Sequence, residues 1–210
     1  MSGGGASHER PDLLDAALAE IEECGLSGWS RARVARRAGT TLAEVYRNFP
    51  TRTAVLARLG ERLDRAMLAG DVAELAELTP RERLFELIMR RLDALRPYRG
   101  AMRRLSREAC FEPRLVIRSL LNLDRLCEWL LELADVPPRG CLRLALEPLL
   151  MAVYLRTYRV WLADESADQA RTLAALDREL ARFERLCGWL CCPSRRRTRP
   201  AAPEGEPASA

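Results

Sequence analysis

The chain has 210 residues, of which 48% are hydrophobic and 30% charged, a globular composition that excludes wholesale disorder and a membrane-embedded bundle. A formal net charge of +4 defines no partner by itself, so the distribution of charge has to be read instead. All 34 basic residues are arginine, which leaves phosphate recognition to guanidinium groups, backbone amides and hydroxyls.

Apolar residues recur at helical spacing throughout, and no segment shows the period-two alternation of a half-buried strand. Residues 1–11 are expected to be a disordered arm. Leu14, Ala17, Leu18 and Ile21 predict a first helix from Leu13, stopped near Gly25. Ser30 starts a second helix with Val34, Ala35 and Ala38 inward, and Gly39 follows where a left-handed turn is needed. A third helix spans Leu42 to about Asn48, with Val45 and Phe49 inward. Pro50 breaks it, and Thr51 caps a fourth helix carrying Val55, Leu56, Leu59 and Leu63.

Thr79-Pro80-Arg81-Glu82 reads as a capping box with proline at the first helical position, and it opens a second domain. Its first helix carries Leu84, Ile88 and Leu92 and is expected to end at Pro97 and Gly100. A short helix over about 99–109, then helices at 112–134, 142–163 and 166–191, complete it. The last is expected to open with a Ser166…Gln169 capping box. The reading is an all-α protein in which a helix-turn-helix domain, residues 12–70, sits on a larger helical bundle, residues 79–192. Residues 193–210 would form a disordered Pro/Arg-rich tail.

Catalysis finds no support: there is no phosphate-cradling glycine loop, and the single histidine, His8, lies in the arm. Seven cysteines are mostly expected as buried thiols. Cys187, Cys191 and Cys192 lack a fourth ligand, so neither a metal nor a cofactor is expected. No apolar run reaches the ~18 residues needed to span a bilayer, and MSGGGASHERPD has no secretory pattern. A cytoplasmic protein is expected. The C-terminal Cys/Arg stretch suits the end of a helix, with its negative dipole, better than a membrane anchor.

Residues 31–65 hold nine arginines against three acids, as phosphate neutralisation requires. Within them, VARRAGTTLAEVYRNFPTRTAVL resembles the TetR family of one-component transcriptional regulators, through Ala-Gly at the turn and the Tyr46-x-x-Phe49-x-x-Arg52 spacing. The resemblance covers about residues 12–68. It implies a homodimer that binds a double-stranded DNA operator and is released by a small molecule. Carried over position by position, Thr40, Thr41, Tyr46 and Arg52 would hold phosphates, and Arg31 joins the candidate DNA-binding residues. Leu42, Ala43, Glu44 and Arg47 would face base edges or the groove wall, and Asn48 stands where histidine is common. Arg47 replaces a frequent aromatic and would either read guanine or hold a phosphate. Glu44 either closes a capping box on Thr41 or accepts from a cytosine amino group.

Residues 151–180, MAVYLRTYRVWLADESADQARTLAALDREL, are similar to the C-terminal domain of the ubiquinone-biosynthesis accessory proteins that share this fold and bind isoprenoid lipid. That resemblance implies a lipid-like ligand, with Leu84, Ile88, Leu92, Met151, Tyr154 and Tyr158 as candidate pocket residues. A non-DNA-binding lipid carrier is the alternative function. The stripe Met151, Tyr154, Leu155, Tyr158 and Leu162 also suits a core or a dimer interface, and Arg156 and Arg159 suit ion pairs across such a dimer.

Overall fold

The structure is a computed structural model and describes residues 12–69, 75–109, 111–136 and 141–191, without the side chains of 141–144 and 187–191. The arm, the tail and the cysteine cluster at 187–192 therefore lie outside the described side chains. Every regular element described is helical: α1 (Leu13–Gly28), α2 (Arg31–Ala38), α3 (Leu42–Asn48), α4 (Ala54–Leu68), α5 (Pro80–Leu95), a 3-10 turn (Arg96–Tyr98), α6 (Arg99–Glu108), α7 (Pro113–Leu133), α8 (Cys141–Ala163) and α9 (Ala170–Cys191). Among the described residues no helix is long and apolar enough to cross a membrane.

α1 buries the expected stripe, Leu14, Ala17, Leu18 and Ile21. Gly25 breaks it, at φ 75° and ψ 173°, and the chain then resumes one short helical turn. The break exposes backbone amides that α6 satisfies: Glu108 accepts from the amides of Leu26 at 2.8 Å and Ser27 at 3.4 Å. A Cβ on Gly25 would fall 1.7 Å from Glu108 Oε1, so both the turn and the neighbour demand glycine here. Gly100 does not end a helix, contrary to expectation. It lies inside α6, where a side chain would meet the Glu22 carboxylate of α1 at 2.0 Å, and so permits the two helices to pack.

α4 links the head to the body. It buries Val55, Leu56, Leu59, Leu63 and Met67, while Arg62 reaches Asp12, Asp15 and the Tyr98 hydroxyl beside α1. The Thr79–Glu82 capping box forms as read: Glu82 accepts from the Thr79 amide at 2.8 Å and donates its own amide to Thr79 Oγ1 at 3.4 Å. α5 then buries Leu84, Leu87, Ile88, Leu92 and Leu95. Pro97 does not separate α5 from α6 sharply; the 3-10 turn carries one into the other.

α8 and α9 form the most extensive helix pair, and Asp164 joins them. This buried carboxylate accepts from Ser166 Oγ at 2.5 Å and its amide at 3.2 Å, and from Thr172 Oγ1 at 2.7 Å and its amide at 2.9 Å. These four hydrogen bonds, led by the Ser166 hydroxyl, hold the carboxyl well below the usual carboxylate range. They also replace the expected Ser166…Gln169 box. Ser166 is spent on Asp164, Gln169 adopts φ 53° and bonds Asp93 at 2.6 Å, and α9 begins only at Ala170. From α6, Arg103 donates to the Leu162 carbonyl at 2.8 Å and Arg99 to that of Asp164 at 2.5 Å. The unpaired carbonyls at the end of α8 thus find cations. Arg156 needs no second copy for its acid: it pairs with Glu179 of α9 at 3.0 Å.

Asp164→Asn removes the charge and turns an N–H toward a donor, so it is expected to lower unfolding stability by about 3 kcal/mol at neutral pH. Because the folded-state carboxyl is depressed, its contribution is complete above the unfolded value, about 3.9, and is lost as pH falls through the folded one. Urea titrations of both proteins should show the gap between them shrinking as the pH drops below about 4.

Candidate nucleic-acid interface and ligand cavity

α2 ends at Gly39 in the left-handed conformation, φ 64° and ψ 34°, with the Thr40 amide bonded back to Ala35 O at 3.0 Å. That turn sends α3 across α2. α3 is seven residues long and is anchored by Val45 alone, with Phe49 buried just past its end against Trp29. The rest of it faces outward, including two large apolar side chains, Leu42 at 55% exposure and Tyr46 at 60%. Ala43, Glu44 and Arg47 are exposed as well. A helix this short gains little from its own hydrogen bonds, so its placement depends on the turn and on Val45 and Phe49.

The N-terminus of α3 forms half of the expected capping box. Thr41 Oγ1 accepts from the Glu44 amide at 3.2 Å, but the Glu44 carboxylate accepts from the Thr40 hydroxyl instead of the Thr41 amide. The acid is still tied down beside the helix start, where the dipole favours it. Asn48 donates to Glu44 O at 3.0 Å, which engages its amide within α3.

The arginines divide into two groups. Arg33 and Arg37 turn back onto Glu20 and Glu23 of α1, and Arg58 and Arg62 pair with acids of their own surroundings. Much of the arginine excess counted over 31–65 is therefore neutralised by acids outside that window. Arg31 donates to the carbonyls of Phe49 at 3.1 Å and Pro50 at 2.7 Å, and its guanidinium lies 5.8 Å from the Tyr46 ring centre and 5.6 Å from that of Trp29. It holds the end of α3 and steadies Tyr46. Arg52 bonds the Ser27 carbonyl at 2.9 Å. Arg36 and Arg47 make no ion pair among the described residues and are exposed on α2 and α3. Arg36 escaped the sequence reading; its position on the outward side of α2, opposite buried Val34, Ala35 and Ala38, was the available signal.

In the body, a cavity of ≈ 460 Å³ lies among α4, α5, α6, α7 and α8. Leu59 and Leu63 of α4, Met102 of α6, Leu123 of α7 and Tyr154 and Tyr158 of α8 contribute to its wall. Of the six residues expected there, Tyr154 and Tyr158 line it. Leu84, Ile88 and Leu92 are buried in the core and take no part in the wall, and Met151 lies off it, one turn before Tyr154. Arg91 lines the cavity and was missed. It falls at helical spacing in the stripe Leu84, Leu87 and Leu95, so a charged residue in an apolar stripe was the clue. Tyr154 and Tyr158 stack with ring centres 6.4 Å apart, and burial pushes both hydroxyls up, that of Tyr158 to about 12. Both remain proton donors at neutral pH. Among the described residues no cluster of His, Cys, Asp or Glu could hold a metal ion.

The turn at Gly39 and the short exposed α3 form a helix-turn-helix head on a helical body. Residues 13–59 match the family model described as bacterial regulatory proteins, tetR family. The fold is similar to that of the TetR transcriptional regulator from Nitrosomonas europaea ATCC 19718, at 25% identity and TM-score 0.69, over 82% of this chain and 95% of that one. A TetR-like transcriptional regulator from Rhodococcus sp. RHA1 shares the fold at 22% identity and TM-score 0.52, over 82% and 93%. No curated protein matches the chain. Residues 13–59 thus match a TetR-family model, and the fold is similar to that of solved TetR regulators. The similarity of residues 151–180 to the ubiquinone accessory proteins gains no support from these matches.

Gly39 has nothing within 4 Å of where a Cβ would lie, so Gly39→Ala should cost only the left-handed backbone, about 1–2 kcal/mol. Gly25→Ala must also displace Glu108 from the amides it caps and should cost more. Thermal or urea unfolding of the two variants checks the order; an equal loss would deny Glu108 its role.

Proposed function

We propose that the chain is a cytoplasmic, homodimeric DNA-binding regulator, acting as a repressor, whose operator affinity is set by a ligand in the cavity of the body. The observation that carries the reading is α3. A TetR-family head presents Leu42, Tyr46 and Arg47 to solvent from a helix held by one buried residue of its own, and such exposure suits a major groove. Thr40, Thr41 and Tyr46 would hold phosphates, Arg36 would add a contact from α2, and Arg47 would reach guanine or a phosphate. Leu42, Ala43 and Glu44 would meet base edges or the groove wall, with Asn48 at its margin. Arg31 and Arg52 would act mainly by fixing α3 and the α4 start, with donors left over for the backbone. α8 and α9 would pack against their copies in a four-helix interface, setting the two heads one helical turn of DNA apart. By linkage, ligand and DNA weaken each other's binding equally.

The test is binding to a duplex pool selected on the protein, measured at about 50 and 200 mM salt. The wild type should lose affinity steeply with salt. Arg47→Ala should cost about 1–3 kcal/mol if it reads a base, and Tyr46→Phe about 1 kcal/mol. Absence of salt-dependent duplex binding, together with stoichiometric isoprenoid lipid in the purified protein, would make it a lipid carrier instead.

A further inference from the structure

Resting on the reading of the cavity as a ligand site, we propose that its ligand is an amphiphile with one carboxylate, bound head-first at Arg91, and that the carboxylate competes there with Asp64 of α4. The wall is apolar except for a few hydroxyl and amide groups and two cations, Arg91 and Arg159, and it contains no aspartate or glutamate. A cationic ligand would find no counter-charge, and a purely apolar one would leave Arg91 as it is.

Arg91 is the decisive group. It is 6% exposed, and its Nε has no hydrogen-bond partner. A buried guanidinium with an unanswered donor calls for an acceptor. Its Nη1 pairs with Asp64 of α4, but Asp64 also accepts from Arg125 of α7 at 3.2 Å. One carboxylate is therefore shared by two guanidinium groups, and the trio carries a net positive charge beside the cavity. Tyr154 stands next to Arg91 on the same wall and keeps its proton, so both neighbours of the arriving head group are donors. Arg159 is exposed, where it meets an incoming anion first.

The exchange has a consequence for the head. Asp64 belongs to α4, the helix whose Val55 and Leu59 sit in the continuous core and whose N-terminus follows α3. A carboxylate on Arg91 leaves Asp64 to Arg125 alone, releasing the α4–α5 tie while the α4–α7 tie stays. The cavity volume falls in the range of small-ligand sites, which suits a single acyl or aryl chain.

Calorimetric titration of the full chain with dodecanoate, dodecanol and dodecyltrimethylammonium tests this directly. Dodecanoate should bind at least about tenfold more tightly than dodecanol, a difference of about 1.4 kcal/mol, and the cation most weakly. Arg91→Met should abolish the preference while leaving dodecanol binding near wild type; Asp64 keeps Arg125, so no acid is orphaned. Tyr154→Phe, a milder change, should reduce the preference several-fold. Asp64→Asn should tighten dodecanoate, because its competitor is weakened. Dodecanol binding as well as dodecanoate, or a preference that survives Arg91→Met, would overturn the carboxylate assignment and leave the ligand site standing. Binding of none of the three would overturn both. Duplex binding by the unliganded protein is measured separately and depends on neither result.

Discussion

One helix has to satisfy two assemblies at once, and most of this molecule follows from that constraint. α4 packs on α1 in the head, on α5 in the body and on α7 across the cavity. Its apolar residues, from Val55 to Met67, disappear into a core that runs without interruption from head to body. Its charged residues are spent in two directions: Arg62 toward α1 and Tyr98, Asp64 toward Arg91 and Arg125. Burying an ion pair such as Asp64–Arg91 adds little net stability, because desolvation offsets much of the attraction. What it supplies is a defined partner for α4.

The second splice, α1 with α6, is of a different kind. Gly25 and Gly100 let the backbones approach, and Glu108 supplies acceptors for the amides freed by the break. Arg104 holds the same carboxylate from within α6 at 3.1 Å. α3 lies beyond both splices. It takes its orientation from the Gly39 turn, from Val45 and Phe49, and from Arg31 clamping its last carbonyls. Leu42, Tyr46 and Arg47 remain exposed outside that set.

The helices of the head were legible because local physics dictates them. Gly39 needs its left-handed turn, Pro50 cannot continue α3, and Thr51 presents its hydroxyl to the Ala54 amide at 3.2 Å. The Thr79 box was legible for the same reason. Where the reading failed, a second partner competed for the same polar group, sometimes only a few residues away. Ser166 was claimed by Asp164 within a turn that Gln169 closes onto Asp93, and Glu44 found the Thr40 hydroxyl before the Thr41 amide. Which of the head's arginines are paired depended on Glu20 and Glu23 of α1.

The sequence by itself determined the all-α architecture, the helix limits to within a few residues and the surface-reading helix α3. Each of these rests on periodicity, capping and turn chemistry, which act within a few residues. The cavity was decided by the tertiary structure alone. Leu84, Ile88 and Leu92 share an apolar stripe with Arg91, yet they pack into the core while Arg91 meets the cavity and Asp64. Helical periodicity tells which residues turn inward but carries no information on where the facing helices leave a gap. That depends on how five helices fill one volume.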